Sequence, residues 1–319
     1  MRISVAMCTC DGAAHLEDQL RSLAGQERLP DELIIHDDAS TDETPRIIER
    51  FASAAPFAVR FKIHPKRLGV TANFASAIST ATGDIIACCD QDDVWYPDKL
   101  QRIADEYASE PNPPDLVFSD ADLVDSELRP LGSRLWKSIG FCGGARRAAE
   151  QGRLWEVLIR FNAVSGAGMA FSSRWRDLLL PIPDGWMHDG WIGILLSILG
   201  RSRVIPRPLW AYRRHDAQRI GPGPFGWPRQ IAAARRMDVF YFQHAADNFS
   251  ALLERIGPRP VDPEIARVIQ SKIQHCRARA LIRTAGSPWP RLIAGELFSG
   301  RYQSCSLGWK SLAQDLVLG

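Results

Sequence analysis

Four short apolar runs, each followed by a helical segment, constrain this chain more than any other feature. Residues 3–9 (ISVAMCT), 32–36, 59–63 and 85–89 (IIACC) have the length and β-branched content of buried strands. Between them, Leu16, Leu20 and Leu23 mark one helix face and Ile47, Ile48 and Phe51 a second, while Gly69 precedes a third helix over 71–81. Pro45 falls near the start of the second, where proline is tolerated. Strands alternating with helices four times in the first hundred residues predict, through the right-handed crossover rule, an α/β chain with a mostly parallel sheet flanked by helices.

The fourth run stops abruptly in DIIACCDQDDVW, with three carboxylates in four positions. Acids this close repel one another unless a cation or solvent compensates them. Asp90, Gln91 and Asp92 therefore form a candidate divalent-metal site, whose oxygen donors suit magnesium or manganese. The alternative is a solvated acidic turn with Asp93 or Asp98 capping the next helix. Two other strand ends are also polar, Thr9 to Asp11 and Asp37 to Asp38. On a parallel sheet such ends converge on one crevice, which suits a nucleotide held through base, ribose and a metal-bridged diphosphate. Neither a P-loop nor a G-x-G-x-x-G dinucleotide motif follows the first strand, which disfavours ATPases and dehydrogenases.

Further along, the pattern predicts a helix over 95–107, a strand over 116–119 running into Asp120 and Asp122, and loops with short helices over 125–155. Residues 163–172 (AVSGAGMAFS) read either as a strand with close backbone approaches or as a packed bend. A helix over 186–200 has its apolar body just after His188 and Asp189; an acid there is ordinarily a cap. Amphipathic helices are expected over 228–256 and through Ile265, Ile269, Ile273, Cys276 and Ala280. Segments 289–298 and 307–318 mix aromatic, aliphatic and basic residues, a pattern of interfacial segments and of packed cores alike.

Charge divides the chain: residues 1–200 carry 20 basic and 29 acidic side chains (−9), residues 201–319 carry 19 and 8 (+11). A basic end suggests an anionic partner such as a phospholipid surface, or simply a solvated arginine face. No zinc-finger or RNA-binding signature favours nucleic acid. The chain has no run of 18 apolar residues, and its start reads straight into a strand, so a cytoplasmic protein is expected. Seven cysteines without framework spacing fit reduced thiols.

The ordered series TCDGAAHLEDQLRSLAGQ, PDELIIHDDASTDET, GVTANFASAI and DIIACCDQDDVWYPDKL resembles the amino-terminal half of glycosyltransferase family 2, which has the GT-A fold. FSDADLVD, NAVSGAGMAFS, MHDGWIGILLSILG and YRRHDAQRIG are similar to its rhamnosyltransferase-like members, which build bacterial surface polysaccharides such as O-antigen. The resemblance implies a GT-A domain over 1–224 followed by a basic helical extension over 225–319. It assigns Thr9, Asp11, Asp38, Asn73 and Asp90 to the nucleotide-sugar, with Asp38 accepting from a pyrimidine N3–H. Asp92 and His215 would hold Mn2+ or Mg2+, and Asp189 would be the catalytic base. His188, Trp191 and Asp120 would line or support the acceptor site, Trp186 and Trp191 could stack on sugars, and Arg213 and Arg214 could stabilise the leaving group. Many relatives have Tyr-Asn where this chain has Cys10 and Asp11, so aromatic stacking on the base is absent there.

The expected activity is inverting, metal-dependent transfer of a sugar, such as L-rhamnose, from a dTDP- or UDP-sugar to a lipid-linked saccharide. Peripheral contact with the cytosolic face of the inner membrane follows from the basic, aromatic end. The rivals are a metal-dependent phospho- or nucleotidyltransferase and a non-catalytic saccharide-binding protein on the same fold.

Overall fold

The structure, a computed structural model, describes residues 1–109, 111–215 and 237–318. Nine strands form one sheet: β1 (Ile3–Thr9), β2 (Glu32–Asp37), β3 (Ala58–Ile63), β4 (Ile85–Cys89), β5 (Val94–Trp95), β6 (Leu116–Val124), β7 (Pro130–Arg134), β8 (Met169–Ser172) and β9 (Ser202–Arg213). The order is β3-β2-β1-β4-β8-β6-β9-β5, with β7 on β6. β1 to β4 are mutually parallel, β6 and β9 are parallel, and β8 runs against both β4 and β6. β1, β2 and β4 are buried along their whole length, which explains their unbroken apolar runs. Helices Leu16–Ala24, Thr44–Ala54 and Val70–Thr80 fill the crossovers, as the alternation predicts.

Two local expectations change. Tyr96 and Pro97 separate Trp95 from the next helix, which starts at Lys99; Trp95 itself pairs with Trp210 in the β5–β9 ribbon. β9 is absent from the periodicity reading because Pro206 and Pro208 interrupt it. The strand absorbs both where its register against β6 shifts between Ser119 and Asp120. Residues 163–172 resolve into a short 3-10 turn, Gly166–Gly168, leading into β8.

Beyond residue 237, helices Val239–Ile256 and Pro263–Ile282 pack on the part of the molecule that carries the sheet. Phe249, Leu252, Ile269 and Cys276 belong to the same apolar core as Trp191, Leu195 and Phe118. Asp238 and Asp262 cap these helices, accepting from Tyr241 N and Glu264 N. The start expected near residue 228 and the boundary at 224/225 lie outside the described residues. No described helix is long and apolar enough to cross a membrane.

Candidate active site

The carboxyl ends of β1, β2 and β4 meet in one crevice, and their polar side chains are bound to one another. Asp37, fully buried, accepts from Thr9 Oγ1 at 2.7 Å and from Ser40 Oγ and N at 2.6 and 2.8 Å. Thr9 thus faces Asp37. Asp38 accepts from Leu68 N at 2.5 Å and Gly69 N at 3.0 Å, fixing the loop before helix Val70–Thr80; each oxygen retains a further lone pair. Asn73, on that helix, donates to the His36 carbonyl at 2.8 Å and leaves its Oδ1 without a partner. Asp11 has a positive φ of 47° and accepts from Thr41 N at 2.8 Å and from Arg67; the Thr41 amide, then the guanidinium, hold its carboxyl low.

The DQDD turn is shaped by residues whose importance the sequence does not announce. Gln91 is not available as a metal ligand: its Oε1 accepts from Cys10 N at 2.8 Å and its Nε2 donates to Cys10 O at 3.1 Å. This clamp needs Gly12, because a Cβ there would lie 2.1 Å from Gln91 Oε1. Arg213 is committed as well, despite the expected role at the leaving group. It is 2% exposed and donates to Asp92 O, Ser126 O and Asp18 Oδ2 at 2.8, 2.6 and 2.9 Å. Its backbone N–H reaches Asp93 Oδ1 at 3.2 Å. β9 thereby delivers His215, whose Nε2 lies 3.0 Å from Asp92 Oδ2 and whose ring lies 4.8 Å from that of His15. Among the described residues no group of three or more His, Cys, Asp or Glu forms a complete metal cage.

Beneath the turn, Lys99 is fully buried; its Nζ donates to Ala167 O at 2.5 Å and stands 3.8 Å from the Trp95 ring centroid. Burial draws its ammonium down to about 7, against the opposing pull of Cys89, Asp93 and Asp90. Burial, then the charges of Asp92 and Asp189, push Asp90 up to about 7. The Asp189 charge thus acts on the acid turn although about a hundred residues separate them in sequence.

Asp189 stands in the first turn of helix His188–Leu199. Burial raises its carboxyl to about 6, opposed by hydrogen bonds from Gly190 N, Gly166 N and the Asn162 side chain. The Gly190 bond is 2.6 Å. His188 stacks on Phe74 at 3.8 Å with both ring nitrogens unpartnered, and burial lowers it to about 3, so it is a neutral wedge between two helices. A Cβ on Gly166 would come within 2.5 Å of its Nε2, so the glycine lets the turn that supports Asp189 close over the ring.

Two of the residues expected to line or support the acceptor site are engaged in the fold. Trp191 is fully buried, donating to Leu179 O at 2.8 Å; its ring is core and cannot stack on a sugar. Asp120 accepts from Ala121 N and Trp136 N at 2.9 and 3.0 Å, anchoring helix Leu135–Ile139; none of its hydrogen bonds reaches Asp189.

Comparison with known proteins gives this crevice its context. A model of glycosyl transferase family 2 matches residues 4–164. An uncharacterized protein of Mycobacterium tuberculosis is 28% identical over 222 residues, 67% of this chain, which spans only 59% of that relative's length. The dTDP-rhamnosyl transferase RfbG of Shigella flexneri is 31% identical over 230 residues, 67% of this chain and 73% of that protein. Among solved structures, S. aureus TarS 1–349 in complex with UDP-GlcNAc superposes with a TM-score of 0.55 at 16% identity, covering 92% of this chain and 83% of that one. The mannosyltransferase PcManGT from Pyrobaculum calidifontis, in complex with GDP-Man and Mn2+, gives 0.55 at 19%, covering 99% and 86%. The solved structures match in fold, and the family match spans half of the sequence: the chain belongs to glycosyltransferase family 2 and has the GT-A fold.

Proposed function

We propose that the protein transfers a sugar, with inversion, from a pyrimidine-nucleotide donor to a saccharide hydroxyl, Asp189 acting as general base. The observation that carries this reading is the Asp189 carboxylate at the start of its helix, held by the Gly190 amide at 2.6 Å and by Gly166 N and the Asn162 side chain, while burial raises it to about 6. At neutral pH such a group is ionised and still basic enough to take a hydroxyl proton. The acceptor oxygen attacks the anomeric carbon, the bond from that carbon to the diphosphate oxygen breaks, and the hydroxyl proton passes to Asp189. The diphosphate leaves with the bonding electrons.

Thr9, Asp11, Asp38, Asn73 and Asp90 surround the nucleotide in this reading. Asp92 and His215, an oxygen and a nitrogen donor 3.0 Å apart, are the residues that would hold Mn2+ or Mg2+. When bound, such an ion would supply charge neutralisation for the diphosphate. The ligands of the structural neighbours, UDP-GlcNAc in one and GDP-Man with Mn2+ in the other, and the dTDP-rhamnosyl transferase relative, support a nucleotide-sugar donor; L-rhamnose is the sugar favoured. The exposed Phe298, Trp309 and Val317 beside a net-basic end support peripheral docking on an anionic membrane, where a lipid-linked acceptor would be met.

Calorimetric titration of UDP, dTDP and GDP, with and without manganese, tests the site. Manganese-dependent binding of one pyrimidine diphosphate, lost in Asp92→Ala, is expected. Absence of binding by all three would remove the transferase reading and leave the fold.

A further inference from the structure

A cavity of about 560 Å³ lies between the catalytic half and the helices beyond residue 237. One wall contains Asn162, Trp186 and Gly190, and the first and last of these hold the Asp189 carboxylate. The facing wall carries Tyr241, Phe249 and Lys272. The Phe249 ring meets Trp186 at 5.4 Å, and Lys272 Nζ lies 5.1 Å from the Phe249 centroid. The supports of the base and the lysine ammonium therefore line one space.

Two basic side chains beside Lys272 are paired with carboxylates, whereas, among the described residues, Lys272 is not. His275 pairs with Glu296 at 2.6 Å, and Arg279 makes a two-pronged bond to Asp315 at 2.8 Å. Lys272 donates to the Cys305 carbonyl at 2.7 Å and, among the described residues, pairs with no carboxylate. Burial draws its ammonium below the usual lysine range. A half-buried charge without a counter-ion is only partly compensated by solvent, and an arriving anion would pair with it. Lys310, exposed on the same lining, adds a second positive charge, and the faces of Trp186 and Phe249 offer the apolar surface on which sugar rings pack.

We propose that this cavity is the acceptor site and that it takes a saccharide bearing an anionic group, phosphate or carboxylate, with the anion on Lys272 and the reacting sugar toward Asp189. The inference rests on the transferase reading above and adds to it the place and charge of the acceptor.

The test uses the full chain with α-D-glucose 1-phosphate, methyl glucuronide, methyl glucoside and inorganic phosphate as probes in calorimetric or NMR titration. At least one of the two sugar anions should bind about tenfold or more tightly than methyl glucoside and than phosphate alone. Whichever binds better identifies phosphate or carboxylate as the natural anion. Lys272→Met should abolish that preference, Lys272→Arg should keep it, and Lys310→Ala, at an exposed position, should weaken it several-fold without affecting folding. Melting curves of every variant should lie close to that of the parent, so that a lost preference is not lost folding. Equal binding of neutral and anionic sugars, binding of phosphate as tight as that of the sugar anions, or a preference unchanged in both Lys272→Met and Lys310→Ala overturns the proposal. Nucleoside diphosphate binding, measured on the same samples, separates the two failures: its loss in the parent would sink the transferase reading, whereas its retention in every variant isolates the acceptor site.

Discussion

The start of β2 and β6 and the turn after β4 treat carboxylates in opposite ways. At the start of β2 and β6, Glu32 and Asp115 are surrounded by donors. Glu32 accepts from Ser4 Oγ, Thr82 N, Thr82 Oγ1 and Arg60 at 2.6, 2.7, 2.8 and 2.6 Å; burial acts to raise it, but these bonds prevail and hold it at about 2. Asp115 accepts from Trp175 Nε1 and Arg201 N at 2.5 and 2.9 Å and pairs with Arg174. In the turn after β4 Asp90 is raised by burial and by its acidic neighbours, and among the described residues Asp93 keeps a buried oxygen without a partner, although Asp37 and Asp38 at the end of β2 are bonded. The first pair is compensated within the fold; the acid turn carries mutual repulsion that a bound cation would relieve.

Substitutions can break this contrast. The largest effect is expected at Asp189, where Asn should lower kcat by about 10²- to 10⁴-fold with nucleotide affinity unchanged; steady-state kinetics beside calorimetry would show it. A comparable loss of nucleotide affinity would mean that Asp189 belongs to the donor site instead. The pH profile is next. With the base at about 6, kcat/KM should fall about tenfold per pH unit below that value and level off above it, a limb absent from Asp189→Asn.

Smaller effects sharpen the comparison through stability. Glu32→Gln should cost about 1–3 kcal/mol in urea unfolding at neutral pH, because it weakens bonds to a buried charge. Since the folded pKa of Glu32 is depressed, its contribution is present above the ordinary carboxylate range and fades as pH falls toward about 2. The penalty of the substitution should shrink in that window. Asp90→Asn in metal-free buffer should do the reverse and gain about 1 kcal/mol by removing a repelled acid. Equal destabilisation by both would erase the distinction between the two places.

How much of this was readable follows from the range of the interactions. Asp38, Asp90 and Asp92 stand at the ends of strands that local periodicity locates, so the crevice could be drawn from the sequence. Asp189 needed the family resemblance, because an acid at a helix start is ordinarily a cap. The Gln91 clamp, the buried Lys99 and the ties of Arg213 depend on partners far away in the chain, and no local pattern marks them. Trp191 shows the converse: an aromatic beside a helix start has the same spacing whether it faces a ligand or the core, and only packing against Leu179 decides. β9 was hidden by its prolines. The Lys272 cavity was hidden because separate segments of both halves contribute to its walls.

Arg213 also bears on when the protein becomes functional during synthesis. Its guanidinium joins Asp18 to the acid turn across a sequence separation of 195 residues. The early strands can form and pack as the chain emerges, but the histidine beside Asp92 arrives only with the last strand. Contacts this distant in sequence form late and slowly. A nascent chain halted before residue 213 would therefore carry a folded but silent crevice, and the appearance of nucleotide binding would time the completion of the sheet.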